Sequence, residues 1–364
     1  MDIFDLVQDA GHEQVVFCHD EASGLKSIIA IHDTTLGPAL GGTRMWPYRN
    51  TQEALIDVLR LSEGMTYKAA VAGLALGGGK AVIIGDPRTD KTEALLRAHG
   101  RFVGTLGGRY ITAEDVGITV EDMEHVYKET KHVTGIQSSP HGSGDPSPVT
   151  AYGVYWGIKA SCRHKLGSDE LAGVRVAVQG AGSVGYHLCG DLAGEGAEIT
   201  ITDIDPGRVQ RVVDAFGAAA VGPQEIYDID CDVFAPCALG AIVNDSTVRR
   251  LKCRIVAGAA NNQLDEDRHG DALDARGILY APDYVINAGG LINVYGELRG
   301  YDRETAKREA RKIYDTLLSI FRIAEEEGIP TYRAADRLAR LRLQEAHERT
   351  DVDEPRPSVA ATGE

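Results

Sequence analysis

Residues 174–203 read VRVAVQGAGSVGYHLCGDLAGEGAEITITD, and three local patterns follow one another within this run. Val174–Gln179 is almost continuously apolar, as expected for a central strand of a parallel sheet. A glycine-rich turn comes next, and Val184–Ala193 then has the composition of a helix. A second strand, Glu198–Thr202, ends at Asp203. The order strand, turn, helix, strand predicts a βαβ unit with two parallel strands.

The turn has the spacing Gly-x-Gly-x-x-Gly, which alone is a weak signal and also fits an α/β domain without a ligand. After a strand and before a helix, such glycines let a pyrophosphate approach the helix N-terminus. Asp203, about 20 residues further on, would accept hydrogen bonds from ribose hydroxyls and repel a 2′-phosphate. We therefore predict a Rossmann-type domain that binds NAD rather than NADP. The residues assigned to the cofactor are Gly180, Ala181, Gly182, Ser183, Val184, Gly185 and Asp203, with Thr150, Asn261 and Asn287.

A second glycine-rich stretch, Leu74-Ala-Leu-Gly-Gly-Gly-Lys80, precedes the apolar run Ala81–Ile84. A lysine beside a buried strand is poorly solvated, which lowers the pKa of its amine and makes Lys80 a candidate general base. Lys68 lies just beyond a helix predicted over Thr51–Met65, and a second ammonium nearby would lower that pKa further. A tight turn with a surface lysine, or a loop that cradles a phosphate, would explain the glycines as well.

Polar side chains follow the ends of several predicted strands. The strand Tyr110–Thr112 leads into Asp115, whose carboxylate could keep a lysine charged and relay a proton, although a surface turn is the alternative. Asn261, Asn262 and Asn287 follow later strand ends, where α/β sheets bind ligands. Their amides could bind a carboxylate or a carboxamide, but asparagine is also common in ordinary turns.

The length and net charge of the chain limit the classes of protein to which it can belong. The chain has 364 residues, more than one hydrophobic core usually accommodates, which predicts two domains. Its net charge of −16 argues against nucleic acid or an anionic membrane as a partner. Six cysteines without a Cys-x-x-Cys pair predict reduced thiols in the cytoplasm. No apolar run approaches the roughly 20 residues of a membrane span, and no His/Cys cluster indicates a metal.

The glycine-, serine- and proline-rich segment His141–Pro148 predicts a domain boundary and hinge. Beyond it we predict helices over Asp245–Leu251 and Asp302–Glu327. The predicted architecture is α/β, with an active-site cleft between two domains. Its parts are a catalytic, substrate-binding α/β domain (1–147), the Rossmann-type domain (148–328), a helix returning to the first domain (329–349) and a disordered tail (350–364).

Several long motifs resemble one family. Leu74–Pro87 has the pattern Leu-x-x-Gly-Gly-Gly-Lys-x-Val-x-x-x-Asp-Pro, and Gly41–Trp46, Arg109–Gly117, Ala235–Gly240 and Ala257–Leu264 accompany it. Together they resemble the amino-acid dehydrogenases that act on glutamate, leucine, phenylalanine and valine, over nearly the whole chain. The resemblance implies reversible NAD-dependent oxidative deamination of an L-amino acid to the 2-oxo acid and ammonia. It also implies a homo-oligomer, often an octamer, that assembles through the first domain.

The resemblance assigns roles to individual residues. Lys68 matches the lysine that holds the substrate carboxylate, and Asn262 matches an amide near it. Lys80 matches the lysine that activates water, and Asp115 its acidic partner in proton transfer. The side-chain pocket would suit leucine or another branched aliphatic chain, but one residue, Leu291, also resembles members that prefer phenylalanine or tryptophan, which is the alternative. That pocket maps to Leu40, Ala113, Leu291 and Val294.

Two rival classes use related folds. A non-catalytic NAD-binding regulator would not need both Lys68 and Lys80, yet both are present. A 2-hydroxy-acid dehydrogenase usually pairs an arginine with a histidine base, and no comparable pair occurs in a motif here. The sequence therefore favours the amino-acid dehydrogenase, since fold resemblance by itself does not decide function.

Overall fold

The computed structural model describes residues 3–136 and 142–353, and two β-sheets organise this part of the chain. The first sheet has the strand order β1-β2-β4-β3-β5. β2 runs antiparallel to both β1 and β4, whereas β3 is parallel to β4 and β5. The strands are β1 (Gln14–Asp20), β2 (Leu25–Asp33), β3 (Ala39–Trp46), β4 (Gly77–Ile84) and β5 (Tyr110–Glu114).

Four helices accompany this sheet, and polar side chains cap three of them. Asn50 accepts a hydrogen bond from the N–H of Glu53 at the start of α2, and Thr92 caps α3 in the same way. α2 buries residues such as Leu55 and Val58 against the sheet. The helices are α1 (Ile3–Asp9), α2 (Thr51–Val71), α3 (Glu93–Thr105) and α4 (Val120–Tyr127).

The second sheet has six strands, all parallel, in the order β11-β10-β9-β6-β7-β8. The chain moves outward from β6 to β8, returns to β9 and then moves outward in the other direction. This doubly wound order confirms the predicted Rossmann-type half, and with it the two-part α/β fold. The strands are β6 (Arg175–Gln179), β7 (Glu198–Thr202), β8 (Ala219–Ala220), β9 (Val233–Pro236), β10 (Ile255–Val256) and β11 (Leu279–Tyr280).

Nine α-helices and the short 3₁₀ turn Ile226–Asp228 occupy the rest of the described chain. The last helix packs against α2, where the Arg342 guanidinium donates to the carbonyl oxygens of Ala70 and Val71 at 2.9 and 2.5 Å. The helices are α5 (Ser147–Leu166), α6 (Ser183–Gly194), α7 (Pro206–Phe216), α8 (Asp267–Ala275), α9 (Asp283–Ile286), α10 (Gly289–Glu297), α11 (Arg303–Arg311), α12 (Ile313–Glu327) and α13 (Thr331–Asp353).

Several predicted elements differ from the structure. The helix expected over Asp245–Leu251 is wrong, because the Asn244 side chain accepts from the N–H groups of Ser246 and Thr247 and stabilises turns instead. The helix expected over Asp302–Glu327 is two helices, α11 and α12, separated at Lys312.

At the C-terminus, α13 extends to Asp353, so the predicted tail begins later than residue 350. Residues 354–364 of that tail lie outside the described residues. All six cysteines are free thiols. Among the described helices, none combines the length and apolar character that crossing a bilayer requires. Within the same ranges, no three His, Cys, Asp or Glu side chains are grouped so as to hold a metal ion.

Candidate active site

The glycines before Lys80 belong to β4, so neither a tight turn nor a phosphate-cradling loop describes them. The role of these glycines is to let neighbouring parts of the chain pack closely against β4. A Cβ atom on Gly78 would lie 2.1 Å from the backbone nitrogen of Thr66, so only glycine lets the backbone of α2 approach this strand. Lys68 lies within α2, not beyond its end as predicted, and this approach brings it near Lys80.

Lys80 is only 5% exposed, and its Nζ lies 3.2 Å from Oδ1 of Asp115. Burial lowers the pKa of Lys80; the carboxylate of Asp115 acts in the opposite direction, and the charge of Arg44 adds to the lowering. Burial alone would raise the pKa of Asp115, but the charges of Lys80 and Arg44 outweigh it, so that pKa is lowered. The pair therefore combines an ionised carboxylate with an amine that releases its proton more easily than usual.

Arg44 is a site residue that the sequence analysis missed. Its Nε donates to Oδ2 of Asp115 at 2.9 Å, and one terminal nitrogen donates to Asp57 at 3.0 Å. Tyr48 donates to the same Asp57 carboxylate at 2.7 Å. Arg44, itself held by Asp57, thus binds the carboxylate oxygen of Asp115 other than the one nearest Lys80. The available signal was a single arginine within a strand, β3, whose other residues are almost all apolar or glycine.

Lys68 joins the two halves of the molecule. Its Nζ donates to Oδ1 of Asn287 at 2.7 Å, and the amide nitrogen of Asn287 donates to Asn261 at 2.7 Å. Burial lowers the pKa of Lys68 to about 8; Asp283 opposes this effect and Lys80 adds to it. Asn287, assigned from the sequence to the cofactor, is thus engaged with the substrate-side lysine in this structure.

Asp283, a second residue missed from the sequence, interacts electrostatically with Lys68. Its carboxylate accepts from the backbone N–H groups of Gln263 and Tyr284 at 2.8 and 2.6 Å. Burial raises the pKa of Asp283, and the two N–H donors and Lys68 partly offset this. Because these donors are backbone groups placed by the fold, no local sequence pattern indicated the role.

Asn262 has a backbone φ of +49°, in the left-handed region that residues other than glycine rarely adopt. Such a conformation costs on the order of 1 kcal/mol and is typical of functional sites. The carbonyl oxygen of Asn262 accepts from the N–H of Ala241 at 2.6 Å, which helps to hold it. Asn262 lines the same cleft as the lysines.

A cleft of about 1150 Å³ brings these side chains together. It combines charged groups from the first sheet and α2 with asparagines from the second half of the chain, and one side has an apolar lining. Of the residues predicted from the sequence, the cleft is lined by Lys68, Lys80, Asp115, Asn261 and Asn262, and by Leu40, Ala113, Leu291 and Val294. Thr150, in contrast, donates its hydroxyl to the carbonyl oxygen of Pro146 at 3.0 Å.

The glycine turn between β6 and α6 has the shape that a dinucleotide requires. Gly180 has a φ of +108°, and a Cβ on Gly185 would lie 1.9 Å from the carbonyl oxygen of Gly180. Gly182 precedes α6, and no side chain caps the helix there. A Cβ atom added to Gly182 would have no other atom within 4 Å. The backbone N–H groups at the N-terminus of α6 therefore have no side-chain cap, and these residues fit a bound pyrophosphate.

Asp203 lies just after β7, beside the same turn. Its Oδ2 accepts from the N–H of Ala181 at 2.7 Å, and its Oδ1 accepts from the N–H of Asp205 at 2.9 Å. These bonds hold the carboxylate close to the glycines while leaving lone pairs for further donors. The position suits recognition of an adenosine ribose.

Two family models match this chain. Residues 12–132 match the dimerisation domain of Glu/Leu/Phe/Val dehydrogenases, and residues 201–350 match the glutamate/leucine/phenylalanine/valine dehydrogenase domain. A leucine dehydrogenase of Thermoactinomyces intermedius is 59% identical over 344 residues, which is 94% of each chain. A leucine dehydrogenase of Bacillus cereus is 60% identical over 343 residues, again 94% of each chain.

A solved structure extends the similarity to three dimensions. The crystal structure of L-tryptophan dehydrogenase from Nostoc punctiforme is 51% identical in sequence and superposes with a TM-score of 0.88. The match covers 95% of this chain and 100% of that one. With matches of this extent in both sequence and structure, the chain belongs to the glutamate/leucine/phenylalanine/valine dehydrogenase family.

Proposed function

We propose that the protein catalyses the reversible NAD-dependent oxidative deamination of leucine, or of another branched-chain L-amino acid, to the 2-oxo acid and ammonia. Family membership makes it an amino-acid dehydrogenase with a nicotinamide cofactor. The observation that carries the proposal is the meeting of Lys68, Lys80 and Asp115 in one cleft that also has an apolar lining. One lysine serves as a fixed cation, the other as a base, and the carboxylate as a relay.

The first step, hydride transfer from Cα, requires the substrate to be held in one orientation. Lys68 and Asn262 would bind the substrate carboxylate, so that its Cα–H bond points to the cofactor. When bound, the nicotinamide ring supplies the acceptor for the hydride. Loss of hydride from Cα requires a neutral amine whose lone pair can form the C=N bond. A substrate ammonium would therefore first give a proton to a nearby base, and Asp115 and Lys80 are both in place.

The second step adds water to the iminium carbon that remains. Lys80, in its neutral form, would take one proton from the attacking water as the C–O bond forms. That proton then passes to the substrate nitrogen, which leaves Lys80 neutral again. As the C–N bond breaks and ammonia leaves with the electron pair, the carbinol hydroxyl gives its proton to the Lys80–Asp115 pair and the C=O bond forms. The products are the 2-oxo acid, ammonia and the reduced cofactor. Asp115, held by Arg44, stabilises the protonated form of Lys80 and relays protons between steps.

The apolar side of the cleft supports an aliphatic substrate. Leucine is our first choice because relatives 59–60% identical are leucine dehydrogenases. An aromatic amino acid is the second candidate, favoured by Leu291 and by the 51% identity to an L-tryptophan dehydrogenase. The lining residues that would contact the side chain are Leu40, Ala113, Leu291 and Val294.

The test is NADH consumption with ammonia and a panel of 2-oxo acids. We expect the highest kcat/KM with 4-methyl-2-oxopentanoate, the 2-oxo acid of leucine, and lower values with phenylpyruvate and indole-3-pyruvate. A higher kcat/KM with an aromatic 2-oxo acid would select the second candidate. Absence of turnover with every amino-acid-derived 2-oxo acid would contradict the proposal as a whole.

The wild-type enzyme should use NAD at least about 100-fold more efficiently than NADP, because Asp203 would lie against the 2′-phosphate of NADP and repel it. The measurement is kcat/KM for each cofactor at saturating amino acid. Asp203→Ser should reduce the ratio mainly by weakening NAD binding. Comparable use of both cofactors by the wild type would show that Asp203 does not face the ribose.

Binding of the substrate carboxylate should weaken as the pH rises above about 8, because Lys68, with a pKa lowered to about 8, then loses its charge. Below that pH the lysine is protonated and binding is at full strength. The measurement is the Kd of a 2-oxo acid for the NADH complex, without ammonia, between about pH 6.5 and 9.5. The Lys68→Gln variant should bind weakly at every pH, and a flat wild-type profile would exclude this role.

We further propose that residues 1–147 with 329–349 form one domain and residues 148–328 the other, and that the cleft closes during turnover. Hydride transfer needs the nicotinamide C4 within about 3.5 Å of Cα. The segments Gly142–Pro148 and Gly328–Pro330, where the chain crosses between the halves, are the expected hinges. Crystal structures with and without substrate and NAD should differ by a rigid rotation of 148–328. Superposition of both forms within coordinate error would contradict this.

The proposal also includes the oligomeric state of the protein and its location in the cell. A homo-oligomer, with an octamer as the specific expectation, is supported by the match of residues 12–132 to a dimerisation domain. β1 lies at an edge of the first sheet, and its Phe17 is 48% exposed, so an apolar side chain is available for contact with another subunit. A cytoplasmic location is supported by the free thiols.

A further inference from the structure

The carboxylate of Asp145 contacts the N-terminus of α6. It precedes α5, and its Oδ1 accepts from the N–H of Ser147 at 2.9 Å. Its Oδ2 accepts from the hydroxyl of Ser183, the first residue of α6, at 3.0 Å. Ser183 belongs to the glycine turn that the proposed function assigns to the pyrophosphate. One carboxylate thus touches the hinge segment and the cofactor turn at once.

The end of α6 that Asp145 approaches carries positive partial charge. Helix N-termini attract anions through their free N–H groups and their dipole, by an amount worth several-fold in affinity at low ionic strength. α6 has no acidic residue in its first turn, and Gly182 before it has no side chain to cap it. Hydrogen bonds from Ser147 and Ser183 and the charge of His187 outweigh burial and lower the pKa of Asp145. The carboxylate is therefore charged at neutral pH.

We propose that Asp145 sets the affinity for the cofactor by holding a competing negative charge beside the diphosphate position. The inference rests on the proposed dinucleotide site at Gly180–Gly185. A bound diphosphate and the Asp145 carboxylate would both be attracted to the N-terminus of α6, and these two negative charges would repel each other at close range. The cofactor must displace the Asp145–Ser183 contact or bind against this repulsion. In either case affinity falls, and release of the reduced cofactor becomes faster.

Asp145→Asn is the decisive variant, because it removes the charge but keeps the size and an oxygen that can accept from Ser147. We expect the Kd values of NADH and ADP-ribose to fall by about three- to tenfold at low ionic strength, the scale of a charge at a helix end. The gain should shrink at about 0.5 M salt, where screening is strong. Adenosine, which lacks the diphosphate, should bind equally to both proteins.

Asp214→Asn is the matched control, since it removes one charge from the exposed face of α7 and should leave every Kd unchanged. Asp145→Ser, whose hydroxyl can also accept from Ser147, should give the same gain and guards against a folding defect in the first variant. Weaker or unchanged NADH binding in both Asp145 variants would overturn the proposal, as would an equal gain for adenosine. Failure of wild type and variants alike to bind NADH would instead overturn the dinucleotide site.

Discussion

Lys80→Ala is expected to lower kcat by about three orders of magnitude, within the range that general-base catalysis contributes. NADH binding should stay within about twofold of the wild type, because Lys80 lies on β4 of the first sheet whereas the glycine turn follows β6 of the second. Lys68 and Lys80 are the lysines among the described residues that line the cleft, and burial lowers the pKa of both amines. Lys68 is engaged with Asn287, so it cannot take the place of Lys80 as the base.

The measurements are steady-state turnover and a fluorescence titration with NADH on the same protein sample. Lys128→Ala is the control, because Lys128 is half exposed and pairs with Glu93 on the surface. It should retain full turnover. If Lys80→Ala lost cofactor affinity in proportion to its loss of rate, Lys80 would be a binding residue and the base would have to be sought elsewhere.

Gly78→Ala is expected to lower the free energy of unfolding by about 3 kcal/mol or more, at the upper end of what overpacking costs. The added Cβ would lie 2.1 Å from both the backbone nitrogen and the hydroxyl oxygen of Thr66, and 2.5 Å from the carbonyl oxygen of Ser62. Backbone atoms cannot move aside without shifting α2 from β4. The same shift would separate Lys68 from Lys80, so activity should fall with stability.

Gly64→Ala provides the opposite expectation in the same helix. A Cβ at this exposed position would meet nothing within 4 Å, and alanine is a better helix former than glycine. We expect a gain of roughly 0.5–1 kcal/mol. Thermal unfolding of the two variants beside the wild type gives the comparison. Equal stability of Gly78→Ala and wild type would show that α2 and β4 are not in direct backbone contact.

The sequence predicted the fold class and the family because both rest on local patterns. A buried strand, a glycine turn and a helix in succession define the Rossmann-type half, and the structure confirms its parallel sheet. Patterns were less decisive where side chains compete with the backbone. Turns replace the helix predicted over Asp245–Leu251. The glycines before Lys80 lie in a strand, and the prediction of a loop failed there because extended glycines next to a helix look locally like a loop.

Residue types in motifs likewise identified Lys68, Lys80 and Asp115 as candidates, but not their partners. Arg44 lies 71 residues from Asp115, and Lys68 lies 219 residues from Asn287. The first pair forms when β3 and β5 align in the first sheet, and the second when α2 meets the second half of the chain, so no local period or spacing can indicate either. The chemistry of the groups was thus determined by the sequence, whereas their charge states were decided by tertiary structure. Burial, a carboxylate at 3.2 Å and a second lysine together set the pKa values on which the proposed mechanism depends.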